Sequence, residues 1–331
     1  VRRWARAWVV WSVFSQILCG GTPLSVLPAL SLSLCPRPRS TMRYPLALAL
    51  LSLAVAALER LRPWRPAQRA RRARLWGDLL YITFNGHLLG VILYGVARTH
   101  VLPRLDPLLE RAELLDPLQR GAAAGWPLWA QAVVALLVID LLQWCVHRAL
   151  HRAPWLWELH KVHHSVRDGE MDWLASFRFQ WTEVVVYRAA LYLPLSFFSF
   201  SEEVVFLHAV AGTLAGHLNH ANLDLAWGPL RYVLNGPRMH LWHHDYHREG
   251  ADAVNFGVIF SCWDWLFGTA YLPAAPPARI GFRGEEELPR DFLGQQAWPL
   301  PRLLPPGPRR AALGAALGAM LIAGGWLLKG P

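Results

Sequence analysis

DLLQWCVHRALHRAPWLWELHKVHH, residues 140–164, is the stretch that decides how this chain must be read. It closes an apolar run, Trp126 to Val146, and within one further helical span it sets His147 and His151 four apart, then His160, His163 and His164 as H-x-x-H-H. Residues three and four apart lie on one face of a helix, so each group points its imidazoles at a common place. The pattern recurs downstream. His217 and His220 are three apart, His240, His243 and His244 repeat H-x-x-H-H, and His247 follows one turn on. Eleven of the fourteen histidines thus fall in four groups between 147 and 247. Neutral imidazole is a good ligand for zinc, copper, iron or nickel. One ion takes about four to six ligands, so this many histidines implies two metals.

Composition sets the surroundings. Of 331 residues 54% are hydrophobic and only 17% charged, against about 25% charged in a soluble domain, which points to a membrane protein. The net charge of +10 sits next to apolar segments, where arginines mark the cytoplasmic side of a bilayer rather than a nucleic-acid surface. The eighteen tryptophans fit interfacial anchoring. Cys19, Cys35, Cys145 and Cys262 are dispersed without a C-x-x-C, which argues against a disulfide framework and a thiolate zinc site.

Apolar stretches lay out the chain. Residues 44–58 precede the cluster Arg60, Arg62, Arg65, Arg69, Arg71, Arg72 and Arg74. Further stretches cover 78–97, 126–146, a helical hairpin over 184–217 broken near Pro194 and Ser201, and 311–328 with Gly314-x-x-x-Gly318. With the arginine cluster in the cytoplasm, counting spans returns all four histidine groups to that side. The expected fold is an all-α polytopic membrane bundle with a cytosolic, histidine-rich di-metal cap, in the inner or plasma membrane if the source is bacterial. Residues 1–41 are read as an N-terminal extension: a signal-like segment, an extra helix pair, or, as we favour, translated sequence ahead of a start at Met42. Residues 42–272 form the catalytic domain, 273–310 a proline-rich surface loop, and 311–331 a final transmembrane helix.

The ligand set is nearly pure nitrogen, without the Glu-x-x-His pairs of soluble di-iron bundles. Asp140 lies seven residues before His147 on the same face and is the first candidate to orient a ligand, since metal-bound histidines donate their other N–H to a carboxylate or carbonyl. Asn222 and Asn255 either orient ligands or cap helices; Asp264, Asp245, Glu158 and Glu183 are weaker candidates for the same part, each read more simply as surface charge or a helix cap. His87 and His208, alone on apolar helices, read as satisfied core residues, and His100 as an exposed one.

Several motifs occur together. Asp140-x-x-x-Trp144-x-x-His147-Arg148-x-x-His151, His160-x-x-His163-His164-Ser165, His220-x-Asn222, Pro237-x-x-His240-x-x-His243-His244, Asn255-Phe256-Gly257 and Trp263-Asp264-x-x-Phe267-Gly268-Thr269 resemble, in this order, the fatty acid hydroxylase/sterol desaturase superfamily over roughly residues 78–272. The resemblance implies an integral-membrane, non-haem di-iron enzyme that hydroxylates, desaturates or cleaves lipids with O2. It implies metal ligation by His147, His151, His160, His163, His164, His220, His240, His243 and His244. His217 and His247 have no uniform counterpart and stand as additional candidates by phase alone. Two departures are visible. Arg178-Phe179-Gln180-Trp181-Thr182-Glu183 stands where the family often has Arg-Phe-His-Pro-x-Glu, and Asp252 lies three rather than two residues before Asn255. No flavin, nicotinamide or attached-haem motif is present, so electrons are expected from a ferredoxin or cytochrome b5-type partner. The rival reading is a histidine-rich metal-binding or transport protein without redox turnover; it would need ligands spread along a path, whereas here they gather at one depth.

Overall fold

A computed structural model describes residues 43–69, 74–113, 123, 125–166, 169–198 and 200–329. The extension at 1–41 lies outside the described residues. Helices dominate, and among the described residues the only β pairing is two isolated bridges, Leu234 with Phe260 and Asp245 with Ile280.

The first helix, α1 (Arg43–Leu61), carries the 44–58 stretch. The 78–97 stretch is not one helix. It is α2 (Leu75–Thr83), a π-helical turn at Phe84–Leu88, and α3 (Leu89–Val96); a second π turn, Ala97–Val101, leads into α4 (Leu102–Arg111). Turns of this kind frequently mark functional positions, and here the first one turns Asn85 inward, where its amide donates to the carbonyls of Phe177 and Phe179, each at 2.9 Å.

α5 (Leu128–Arg152) holds the decisive stretch. Its buried residues, Gln131, Ala135, Ile139, Asp140, Trp144, His147, Leu150 and His151, repeat at the three- and four-residue spacing of a helix face. Leu128, Trp129, Val133 and Leu137 are exposed on the outside. Of the described helices α5 is the one long and apolar enough to cross a membrane. It stops at Ala153, which is extended, because a following proline disfavours the α conformation. Pro154 then opens α6 (Pro154–His164) at the first helical position, where a missing N–H costs nothing.

The expected hairpin is present as α7 (Trp181–Phe198) and α8 (Glu202–His220). Ser201 caps α8 by accepting from the Val204 N–H at 3.4 Å, and Gln131 of α5 accepts from the Ser201 N–H at 2.8 Å, which pins the turn. α8 lies against α1, α5 and α9 (Pro237–His243). Between them sits a 3-10 turn at Trp173–Phe177. α10 (Cys262–Leu266) closes the histidine-bearing region.

Residues 273–310, expected as a surface loop, fold inward instead. They contain α11 (Phe292–Ala297) and α12 (Pro299–Arg302) and bury Ile280, Phe282 and Leu288. The Tyr81 hydroxyl donates to Gln295 at 2.7 Å, and the Gln180 amide donates to the Gln296 carbonyl at 2.9 Å. Proline and charge suggested a loop, but spaced apolar side chains give this segment a face to bury, and Pro299 serves as a helix start. The last helix is α13 (Pro308–Lys329).

Candidate metal centre

α5 and α6 each deliver one histidine group, the end of α8 delivers His220, and α9 with the residue after it delivers the last three. The nine histidines expected as ligands all converge. His147, His151, His160 and His243 form one group, and His163, His220, His240 and His244 a second. His164, His243 and His244 form a third that joins the two; within each group the nearest nitrogens lie within 4.8 Å of one another. All nine are buried.

Oxygen acceptors hold the outward nitrogens of five of them. The Nδ1 atoms of His147, His243, His163 and His220 lie 2.8, 2.8, 3.2 and 2.7 Å from the carbonyl oxygens of Phe256, Val254, Arg178 and Gly216. A carbonyl only accepts, so each of these Nδ1 atoms carries the proton and each Nε2 presents a lone pair. His160 Nδ1 is held by the Glu183 carboxylate at 2.6 Å. Burial lowers the pKa of His160, His163, His164, His240, His243 and His244 well below the usual imidazole value, and neighbouring histidines lower it further. These rings are neutral at pH 7, as metal ligands must be.

The inward nitrogens have no such partners. Nε2 of His147 and His160 and both ring nitrogens of His151 are buried without a hydrogen bond. Nε2 of His163 lies 3.1 Å from Nε2 of His220. Because both of these rings spend their proton on a carbonyl, two lone pairs face each other, which is unfavourable unless a cation lies between them. Metal–imidazole bonds near 2.1 Å at right angles place adjacent nitrogens about 3 Å apart. The pairs His240–His220, His164–His243 and His244–His240, at 3.1, 3.1 and 3.2 Å, repeat the spacing. The donor set therefore fits metal ions, and nitrogen-rich ligation suits iron, zinc, copper or nickel.

The remaining candidates are placed differently. Both nitrogens of His217 bond hydroxyls, Ser52 at 3.1 Å and Ser176 at 2.8 Å; it lies in phase with His220 but outside the three groups. His247 is exposed and also outside them. Asp140 touches no histidine. Its carboxylate accepts from the N–H groups of Ile259 and Phe260 at 2.8 and 3.0 Å and from the Trp263 indole at 3.0 Å. Asp264 accepts from Trp144, Phe256 N–H, Gly257 N–H and Thr269 at 2.9, 2.9, 2.8 and 2.6 Å. Asn255 has φ 58, a left-handed conformation asparagine tolerates better than most residues, and its side chain ties Met239 and Tyr271. Asp264 and Asn255 shape the 254–257 segment whose carbonyls receive His243 and His147, and Asp140 holds the adjoining 259–263 segment. All three reach the histidines only at one remove. Asn222 instead pairs with the Arg65 backbone in both directions, at 2.9 and 3.0 Å. Gln180, the departure from the family pattern, caps α7 by accepting from the Thr182 N–H at 2.6 Å.

Of two further contributors, one is only a weak candidate in the sequence and the other escapes it. Glu183 reads as a helix-cap residue and yet grips His160. Arg178, whose carbonyl holds His163, is itself fixed by a buried bidentate pair with Asp78, at 2.8 and 2.6 Å, a partner 100 residues distant that no spacing announces.

A cavity of about 240 Å³ opens from this centre. His147, His160, His163, His220 and His240 form one wall, and Phe177, Phe179, Val184, Gly212 and Gly216 line it further along. His208 lines it too. It is buried as expected, but its Nε2 has no partner.

Among the described residues, then, helices bring together a buried polyhistidine centre and an adjoining part-apolar cavity. The sequence profile described as fatty acid hydroxylase matches residues 132–269, which span α5 through α10. The chain is 28% identical over 251 residues to the ornithine lipid hydroxylase OlsE of Rhizobium tropici, across 75% of this chain and 72% of that protein. It is 27% identical to the fatty acid hydroxylase vlmA of a Lecanicillium species (46% of each chain) and 29% identical to human alkylglycerol monooxygenase (41% of this chain, 29% of that one). It thus spans less than half the length of these last two. No solved structure matches. Residues 132–269 thus resemble the fatty acid hydroxylase family, and these relatives are lipid hydroxylases and monooxygenases by name.

Proposed function

We propose that this protein is a membrane-embedded di-iron hydroxylase of a membrane lipid, with desaturation or ether cleavage as variants of the same chemistry. The observation that carries the reading is the facing of Nε2 lone pairs in His163 and His220 at 3.1 Å, inside a set of nine buried imidazoles. His147, His151, His160 and His243 would hold one iron, and His163, His220, His240 and His244 the other, with His164 between them. The irons supply O2 activation. The balance of the hydroxylation is one oxygen atom inserted into a C–H bond and the other reduced to water by two electrons and two protons from an external ferredoxin or cytochrome b5-type donor. The protein's own part is to hold the imidazoles neutral, to fix their tautomers through the carbonyls of residues 178, 216, 254 and 256, and to shield the reacting carbon from water.

A polytopic arrangement with the histidines on the cytoplasmic side accounts for several placements. α5 is long and apolar enough to span, and α1, α7, α8 and α13, at 19, 18, 19 and 22 residues, match the ~20 of a span in length alone. Arg74 donates to the Ser165 carbonyl at 2.9 Å and Arg65 to the Gly169 carbonyl, so members of the arginine cluster lie beside the last histidine of α6. That supports one side for both.

The test is metal analysis joined to turnover. Protein purified in mild detergent and supplied with ferrous iron is expected to hold about two equivalents per chain and to oxidise a lipid only with O2 and reductant. A reproducible single equivalent overturns the two-metal reading; two equivalents without O2-dependent turnover favour the metal-binding rival.

Gly212 supplies a test of the cavity as the lipid's seat. A Cβ built there meets nothing within 4 Å, and replacing a mid-helix glycine improves helix propensity by up to about 1 kcal/mol. Gly212→Leu is therefore expected to fold and keep its metal while losing on the order of tenfold in kcat/KM. Unchanged kinetics on a long-chain lipid would move the substrate elsewhere.

A further inference from the structure

The cavity holds more polarity than a hydrocarbon chain can use. Asn85 spends its Nδ2 hydrogens on the carbonyls of Phe177 and Phe179, and Asn219 spends its own on the Val258 carbonyl at 2.8 Å. Those bonds fix the amide orientation of each, so Oδ1 is the free atom in both side chains. Both oxygens are buried without a partner, and both residues are 2% exposed and line the cavity. Glu183 holds His160 with one carboxylate oxygen, while the other is buried and unpartnered. Arg188 adds a donor to the same lining. Arg188 gives Nη2 to the Asn85 carbonyl at 2.9 Å, and its Nη1 is buried with no acceptor.

These groups sit close to the histidines. Asn219 precedes His220 directly in sequence. Arg188 is five residues, about 7.5 Å along α7, from Glu183. Gln143 Oε1 and His208 Nε2 line the same cavity and are likewise buried without a partner. A methylene segment in this space would leave all of these groups unsatisfied, a large desolvation cost. A group with N–H or O–H hydrogens for the acceptors and an oxygen for the guanidinium would satisfy the Asn85, Asn219, Glu183 and Arg188 atoms.

We propose that the part of the substrate seated beside the histidine centre is the polar headgroup region of an amphipathic lipid: an ammonium- or hydroxyl-bearing headgroup that also carries a carbonyl, carboxylate or phosphate oxygen for Arg188. This rests on the hydroxylase reading above and deepens it. The oxidised carbon then lies in or next to the headgroup rather than in mid-chain, and Arg188, Asn85 and Asn219 set specificity.

Binding measured on metal-free protein in detergent tests this apart from catalysis. The probes are monooleoylglycerol and oleoyl lysophosphatidylethanolamine, whose headgroups donate hydrogens, against methyl oleate, which has the same chain and a carbonyl but no donor. Both donor-bearing probes are expected to bind about tenfold tighter than methyl oleate, a difference of about 1.4 kcal/mol. Arg188→Met is expected to shrink that preference several-fold for the phosphate-bearing probe. Iron content on later loading should be unchanged. Equal or tighter binding of methyl oleate by the unaltered chain overturns the proposal, and that comparison needs no variant to fold. Two iron equivalents with no headgroup preference would sink this inference alone; a headgroup preference with failed iron loading would sink the di-iron reading and the place of the oxidised carbon, and leave the headgroup site standing.

Discussion

His243→Ala, purified from cells supplied with iron, is expected to hold less than one iron per chain and to lose lipid oxidation below detection. His243 is a large lever because, like His244, it belongs to two of the three nitrogen groups, with His147, His151 and His160 on one side and His164 and His244 on the other. Its loss removes a ligand and leaves His164 Nε2, now 3.1 Å from it, without its neighbour. The control is His208→Ala on α8, whose ring is buried in the cavity but belongs to no group. That variant should load iron like the unaltered chain. Equal iron loss in both, with both folded, would mean that convergence of the rings does not pick out the ligands.

The histidine cluster was readable because its information lies in spacing. A run such as His160-x-x-His163-His164 can only be aimed one way once the segment is helical, and the apolar positions of α5 and α6 make it helical. The proline after Ala153 likewise announces the break that turns α6 back against α5. What holds the rings was not readable, for a physical reason: the acceptors on His147, His243, His163 and His220 are backbone carbonyls, which every residue owns. Asp140 illustrates the resulting error. Seven residues before His147 is the right phase for a direct contact, but its carboxylate is consumed by two backbone N–H groups and an indole of the 259–263 segment. The buried Asp78–Arg178 pair and the inward fold of residues 273–310 depend on long-range packing that no local pattern encodes. Phase alone also over-reached at His217, where two serine hydroxyls take both nitrogens.

If carbonyl placement is what orients the ligands, the residue that fixes the carbonyls should matter almost as much as the ligands do. Asp264 is that residue. It is fully buried, and it gathers the N–H groups of Phe256 and Gly257, the Trp144 indole from α5 and the Thr269 hydroxyl. Gly257 is packed so closely that a Cβ there would fall 2.4 Å from the Phe260 carbonyl, so the segment has little room to find other acceptors. Asp264→Ala leaves three N–H donors buried without partners, at about 1–3 kcal/mol each. Partial relaxation brings the expected loss to about 3–5 kcal/mol, a large fraction of the 5–15 kcal/mol that typically holds a domain together. Thermal unfolding in detergent should show a clear drop in midpoint, and iron content should fall because His147 and His243 lose the fixed carbonyls of Phe256 and Val254. Asp264→Asn, which keeps one acceptor oxygen but turns an amide N–H toward the same donors, should fall between the two. Asp140→Ala should weaken activity by about 10–100-fold, as loss of support behind a ligand does, with a smaller stability cost than Asp264→Ala. An Asp264→Ala protein that unfolded within about 2 °C of the unaltered chain, a shift of about 1.4 kcal/mol at this size and well short of the expected loss, and kept its iron would show that the histidines orient themselves.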